Sequence, residues 1–176
     1  MIRRGFPYLE YRAEPAGPET EQLEREGYTI LRGLLTPEEV TELHDEIAEV
    51  FERDPPDERG DRPFEDAQMF RYAMLNRSAA AQRAVAHPRL LSVIEPLIGE
   101  DCHVIANTAW RNPAGQPGSH GGQNWHIDAG PHIPLPDGVR WPAEIPHPVF
   151  AVGVHIYLMD CALEDGPTGV IPGSHL

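Results

Sequence analysis

Four consecutive residues, Trp125-His126-Ile127-Asp128, carry side chains whose types and spacing suit metal chemistry. On an extended backbone, side chains two residues apart leave the strand on the same side. His126 and Asp128 can therefore converge on one point while Ile127 faces away. An imidazole nitrogen and a carboxylate oxygen at one point make two thirds of the 2-His-1-carboxylate facial triad. That triad holds Fe(II) and leaves positions open for oxygen chemistry. A bare His-x-Asp also arises by chance, so the elements around it must decide its meaning.

The remaining chemistry-bearing residues read differently. His120 and His132 stand six residues either side of His126, which permits a local zinc site of His126, Asp128 and His132 that no second motif supports. His44 lies beside a helical stripe, and His103 and His147 read as surface or loop residues. Trp110, Trp125 and Trp141 are packing candidates, with Trp141 placed in a Pro-rich loop that could cover a substrate. Cys102 and Cys161, without any Cys-x-x-Cys pattern, read as reduced core thiols.

Composition narrows the class. The 176 residues are 40% hydrophobic and 24% charged, as in a soluble globular domain. The net charge of -14 argues against a nucleic-acid partner. All fourteen basic residues are Arg, and most of the acid precedes Asp66 in segments that read as solvated helix faces. Residues 1–11 have two arginines but no apolar segment behind them, so no leader is read and a cytoplasmic protein is expected. The most apolar stretch, 149–159, is too short to span a bilayer and contains His155.

The supporting elements follow from local signals. Residues 1–18 read as an extended arm and 19–26 as a short charged helix ended by Gly27, with a brief strand at 28–31. Thr36-Pro37-Glu38-Glu39 offers a cap, a proline suited to the first helical position and a capping box. Val40, Leu43, Ile47, Val50 and Phe51 then recur at helical spacing. Residues 54–63 read as a polar loop and 65–75 as helical, carrying Phe70, Tyr72 and Met74. Ser78 is set to cap a helix through Ala86, and His87-Pro88 to start another ending at Gly99.

Strand signals take over from there. Residues 102–110 form a strand candidate, followed by a Gly/Pro-rich loop at 112–122 that delivers the His-x-Asp pair, and a Pro-rich excursion at 131–148. In 149–159 one face is apolar throughout: Phe150, Val152, Val154, Ile156 and Leu158. The other carries Ala151, Gly153, His155 and Tyr157, a mixture suited to lining a ligand cavity, or to an outer face covered by another segment. A turn at 164–167, a short strand at 169–171 and a second turn at 172–175 follow. Helices first and loop-connected strands after give an α+β fold with an antiparallel sheet.

Taken in order, these pieces resemble the phytanoyl-CoA dioxygenase family of Fe(II)- and 2-oxoglutarate-dependent oxygenases. The matching stretches are Gly27-Tyr28-Thr29-Ile30-Leu31-Arg32-Gly33 with Leu35-Thr36-Pro37-Glu38-Glu39-Val40, and His87-Pro88-Arg89-Leu90-Leu91 through Gly99. Trp125-His126-Ile127-Asp128 matches the iron motif. Asp165-Gly166-Pro167 through Val170-Ile171-Pro172-Gly173-Ser174-His175 matches the family's most recognisable turn.

The resemblance implies helices packed on a double-stranded β-helix, a jelly-roll barrel. Residues 1–176 would then be one domain: an arm at 1–18, helical support at 19–99 and the first part of the jelly roll at 100–176. The barrel is expected to be incomplete at the C-terminus, with exposed strand edges and apolar surface. The resemblance assigns His126 and Asp128 to Fe(II), and His155 and Thr108 to 2-oxoglutarate. The family's third ligand, a His, and its cosubstrate-binding Arg come after the Pro172–His175 turn and have no counterpart in these residues; His175 belongs to the turn.

With Asp128 at the position where related halogenases have a small residue, the implied reaction is hydroxylation of a small molecule with O2, and no nucleic acid or membrane takes part. The family's substrates include acyl-CoA thioesters, amino-acid derivatives and natural-product intermediates, chosen by loops such as 131–148. With two of the three ligands, these 176 residues alone are expected to be inactive; the alternatives are an inactive fragment of such an enzyme and a metal-binding jelly-roll protein without oxygenase activity.

Overall fold

A computed structural model of the chain describes residues 16–54, 62–63, 69–111, 125, 138–139, 151–165 and 167–175. Helix α1, Pro18–Glu26, begins on a proline, with Glu19 and Glu21 in its first turn and Arg25 in its last, the charge order that the helix dipole favours. Gly27 ends it in the left-handed region (φ 79°), returning its N–H to the Leu23 carbonyl. The helix lies against α4, Pro88–Ile98. Thr20, fully buried, donates from Oγ1 to the Val93 carbonyl over 3.0 Å. Pro96, in the next turn of α4, has no N–H to give the helix.

Helix α2, Pro37–Arg53, starts as its sequence dictates. Thr36 Oγ1 accepts from the Glu39 N–H, and the Glu39 carboxylate accepts from the Thr36 N–H at 2.7 Å, a complete capping box. Its apolar stripe buries Leu43, Val50 and Phe51, with Ile47 packed between two small clusters. His44 is exposed, with its ring nitrogen 3.2 Å from the Asp45 carboxylate. Helix α3, Ala79–Val85, is capped by Ser78, whose hydroxyl accepts from the Ala81 N–H and donates to Glu46 of α2 over 2.7 Å. Ala80 and Ala84 are small enough to close directly on Leu43. An ion pair of Arg83 and Glu42 lies across the same junction.

Of the helix expected over 65–75, residues 65–68 lie outside the described residues and 69–75 do not form it. Met69–Tyr72 is a strand, β2, between β1, Arg62–Pro63, and β3, Thr108–Arg111, in an antiparallel sheet of order β1-β2-β3. Met74–Asn76 is a single 3-10 turn. The reason is visible in the spacing: Phe70 and Tyr72 are two apart, the period of a strand. Their rings meet edge to face at 4.5 Å, and Phe70 meets Trp110 of β3 in the same way at 5.1 Å.

On the opposite face Arg71 and Ala109, paired across the sheet, are both buried. The Arg71 guanidinium lies 4.8 Å from the Phe51 ring centre and donates to the Asp54 carbonyl at the end of α2. Tertiary packing has overridden the helical reading here.

Other expected strands differ as well. Of 102–110, only 108–110 enters β3. Residues 28–31, 151–159 and 169–171 have no ladder partner among the described residues. The observed architecture is α+β, and the jelly-roll barrel is not formed among the described residues. Cys102 is half-buried and Cys161 exposed, both as free thiols. Cys161 is no core residue because the chain leaves the packed surface after Leu158. None of the described helices is long and apolar enough to cross a membrane.

Candidate functional site

The segment 151–159 reads out its alternation in space. Val152, Ile156 and Leu158 are half-buried, while Ala151, Gly153, His155 and Tyr157 are exposed; Val154 is the exception on the apolar side. Ile156 and Leu158 pack on the Leu43, Ala80 and Ala84 cluster, so helices α2 and α3 hold this segment by its apolar face. His155 is thereby left on the open face, and it has no hydrogen-bond partner among the described residues.

Tyr157, on the same face, ties the segment to the next one. Its Oη donates to Thr168 Oγ1 over 2.6 Å and accepts from the Thr168 N–H over 3.1 Å. One residue further on, Gly169 lies against the indole of Trp125. The first residue of the Trp-His-Ile-Asp stretch thus stands beside the chain that follows the Asp165–Pro167 turn.

The Pro172–His175 turn is docked on the end of α1. The Gly173 N–H donates to the Glu26 carbonyl at 2.8 Å, and His175 Nε2 donates to the Glu24 carbonyl at 2.9 Å. A shallow cleft lies between the end of α1, Trp125 and the 169–175 chain. It carries one carboxylate, Glu26. Hydrogen bonds from Arg25 first and Gln22 second hold that carboxyl below its ordinary range.

At the start of β3, Thr108 is exposed and paired with Tyr72, and its Oγ1 accepts from Trp110 Nε1 at 3.2 Å. His126 and Asp128 lie outside the described residues, as do 131–137 and 140–148 of the Pro-rich excursion and 149–150 of the strand candidate after it. Among the described residues no three His, Cys, Asp or Glu side chains gather into a metal-binding group. The reading of His175 as a turn residue and not a metal ligand agrees with its bond to Glu24.

The sequence pattern of the phytanoyl-CoA dioxygenase family matches residues 23–176. The chain belongs to that family. The matched region runs from α1 through the His-x-Asp motif to the Pro172–His175 turn, so it takes in every segment of the candidate site. No solved structure matches the chain. The alternation along 149–159 put His155 on the open face, and the structure has it exposed there. Sequence reasoning had missed Tyr157 and Thr168 as a clasp and Gly169 as a contact of Trp125. The only available signals were the single hydroxyl on the open face and a glycine in an otherwise β-branched run.

Proposed function

We propose that the chain provides the His126–Asp128 half-site of an oxygenase dependent on Fe(II) and 2-oxoglutarate that hydroxylates a C–H bond of a small molecule, with its helices packed on a double-stranded β-helix. The observation that carries this reading is the family match over 23–176, which contains the His-x-Asp pair. The donor set fits the metal: a neutral imidazole and a carboxylate two residues apart are hard-to-borderline ligands suited to Fe(II). His126 and Asp128 would hold it, and bound Fe(II) would supply the chemistry of O2 and 2-oxoglutarate.

The chain's own residues then act as follows. His155, on the open face of its strand, offers a ring nitrogen to a carboxylate of 2-oxoglutarate. Thr108 accepts from the Trp110 indole, which leaves its own O–H to donate to the same cosubstrate. Asp128 would take the place at the metal that a halide would need, which favours hydroxylation. Residues 131–148 are the candidates for substrate selection, and the cytoplasm is the proposed compartment.

Anaerobic Fe(II) titration, with succinate formation from 2-oxoglutarate measured in air, tests this reading. His126→Ala should abolish both, and unchanged values would remove His126 from the metal. Stoichiometric zinc without 2-oxoglutarate turnover would favour a metal-binding protein that is no oxygenase.

A further inference from the structure

In an antiparallel sheet with one face on the core, apolar side chains usually point inward and polar ones outward. Strand β2 reverses that order. Arg71 is buried on the core side, while Phe70 and Tyr72 point away from it. Cross-strand pairing sets Trp110 opposite Phe70 and Thr108 opposite Tyr72, so this outward face carries three rings and a hydroxyl. Tyr72 is 39% exposed and Trp110 52%. Phe70 is half-buried and meets both rings edge to face, at 4.5 Å and 5.1 Å. Aromatic side chains gathered on an open face mark a place where something binds.

We propose that Phe70, Tyr72 and Trp110 form a wall that receives a ring of the small-molecule substrate. This rests on the oxygenase reading, which puts Thr108 beside 2-oxoglutarate. It makes Tyr72 and Trp110 determinants of substrate choice in addition to residues 131–148.

Size, chemistry and position point to that occupant. Two residues along two strands cover about 7 Å by about 5 Å. That area suits a small molecule and falls far short of the roughly 800 Å² that each partner gives to a stable protein interface. Rings already packed edge to face accept a further ring in the same geometry, whereas an alkyl group gains only contact area. The wall is also continuous with the proposed cosubstrate residue. Tyr72 is the cross-strand partner of Thr108, and Trp110 Nε1 donates to Thr108 Oγ1 over 3.2 Å.

The test is an NMR titration of the full chain with benzyl alcohol and, separately, with its saturated counterpart cyclohexylmethanol. Shifts are read at the β2 and β3 amides and at the Trp110 indole N–H, which Trp110→Phe identifies. Benzyl alcohol should shift these signals to saturation. Cyclohexylmethanol should bind about three- to tenfold more weakly, the worth of one aromatic pair. Trp110→Ala should weaken benzyl alcohol by about the same factor. Circular dichroism follows the unfolding of each variant, and Tyr72→Leu makes the comparison from the other end of the wall should Trp110→Ala fail to fold. Met159→Ala removes another exposed apolar side chain and should leave the Kd unchanged.

Equal affinities for the two alcohols, shifts that do not saturate, or equal effects of the wall variants and Met159→Ala would overturn the wall. Amides of β2 and β3 that shift with protein concentration alone, but not in Trp110→Ala, would assign the face to a second copy and overturn it too. Ring binding by wild-type protein that takes up no Fe(II) would instead overturn the oxygenase reading, and with it the assignment of the wall to a substrate.

Discussion

His175 Nε2 and the carbonyl oxygen of Glu24 are 2.9 Å apart, and the imidazole ring lies directly over Gly27. A Cβ on Gly27 would stand 2.5 Å from His175 Nδ1. The last turn of a helix leaves carbonyls without intrahelical partners, and this histidine satisfies one of them from across the chain. The left-handed Gly27 and the Pro172–His175 turn therefore form a single unit, in which the glycine both ends α1 and makes room for the ring.

From that relationship, Gly27→Ala should lower unfolding stability by at least about 1–2 kcal/mol, the cost of a left-handed L-residue before any clash is counted. Urea denaturation measures it. A loss no larger than that backbone cost would mean that the turn does not dock on α1 in solution.

His175→Ala should cost about 1 kcal/mol through the lost helix cap and leave Fe(II) uptake unchanged. The comparison variant is His126→Ala, in which uptake should vanish. Loss of metal from the His175 variant at undiminished stability would make His175 a ligand after all.

Glu46 links α2 to the start of α3. Its carboxyl is held below the ordinary range, first by the Ser78 hydroxyl and then by the Ala80 N–H. Because the folded value is depressed, the carboxylate's contribution is fully present above the unfolded value of about 4.3. It declines as the pH falls below that value and is gone once the pH passes below the folded one. Wild type should therefore exceed Glu46→Gln in stability at pH 7, with the gap closing toward pH 3. A gap that persists at low pH would assign the difference to packing instead of charge.

The Tyr157–Thr168 clasp gives a local readout. Tyr157→Phe removes the acceptor of the Thr168 N–H, so that amide should exchange with solvent faster while amides in α2 keep their protection. Hydrogen exchange followed by NMR resolves the two. Uniform acceleration would point to global destabilisation and no specific clasp.

For the cosubstrate, His155→Ala should raise the KM for 2-oxoglutarate about tenfold, the worth of one hydrogen bond to a charged group. Fe(II) affinity should change little. An equal loss of Fe(II) affinity would place His155 on the metal.

Several features were legible without a structure because their causes are local. The Thr36–Glu39 capping box, the Ser78 and His87 starts and the Gly27 stop are settled by hydrogen bonds within a few residues. The stripe from Leu43 to Phe51 depends on helical period alone. The same holds for the open face bearing His155, since alternation along an extended chain needs no partner to be read. The Trp-His-Ile-Asp stretch and the Pro172–His175 turn, taken together with the stretches at 27–40 and 87–99, suggested the family that the match over 23–176 then supplied.

Tertiary structure decided the rest, because the deciding atoms are far apart in sequence. Residues 69–72 became a strand when β3 offered hydrogen bonds and Trp110 offered a ring to Phe70. Arg71 is buried where the end of α2 supplies the Asp54 carbonyl and the Phe51 face. His175 is the sharpest case: a histidine near a metal motif is defined as a helix cap by a carbonyl far upstream. Local chemistry determined where elements start, stop and turn their apolar faces. Only packing determined which of them meet.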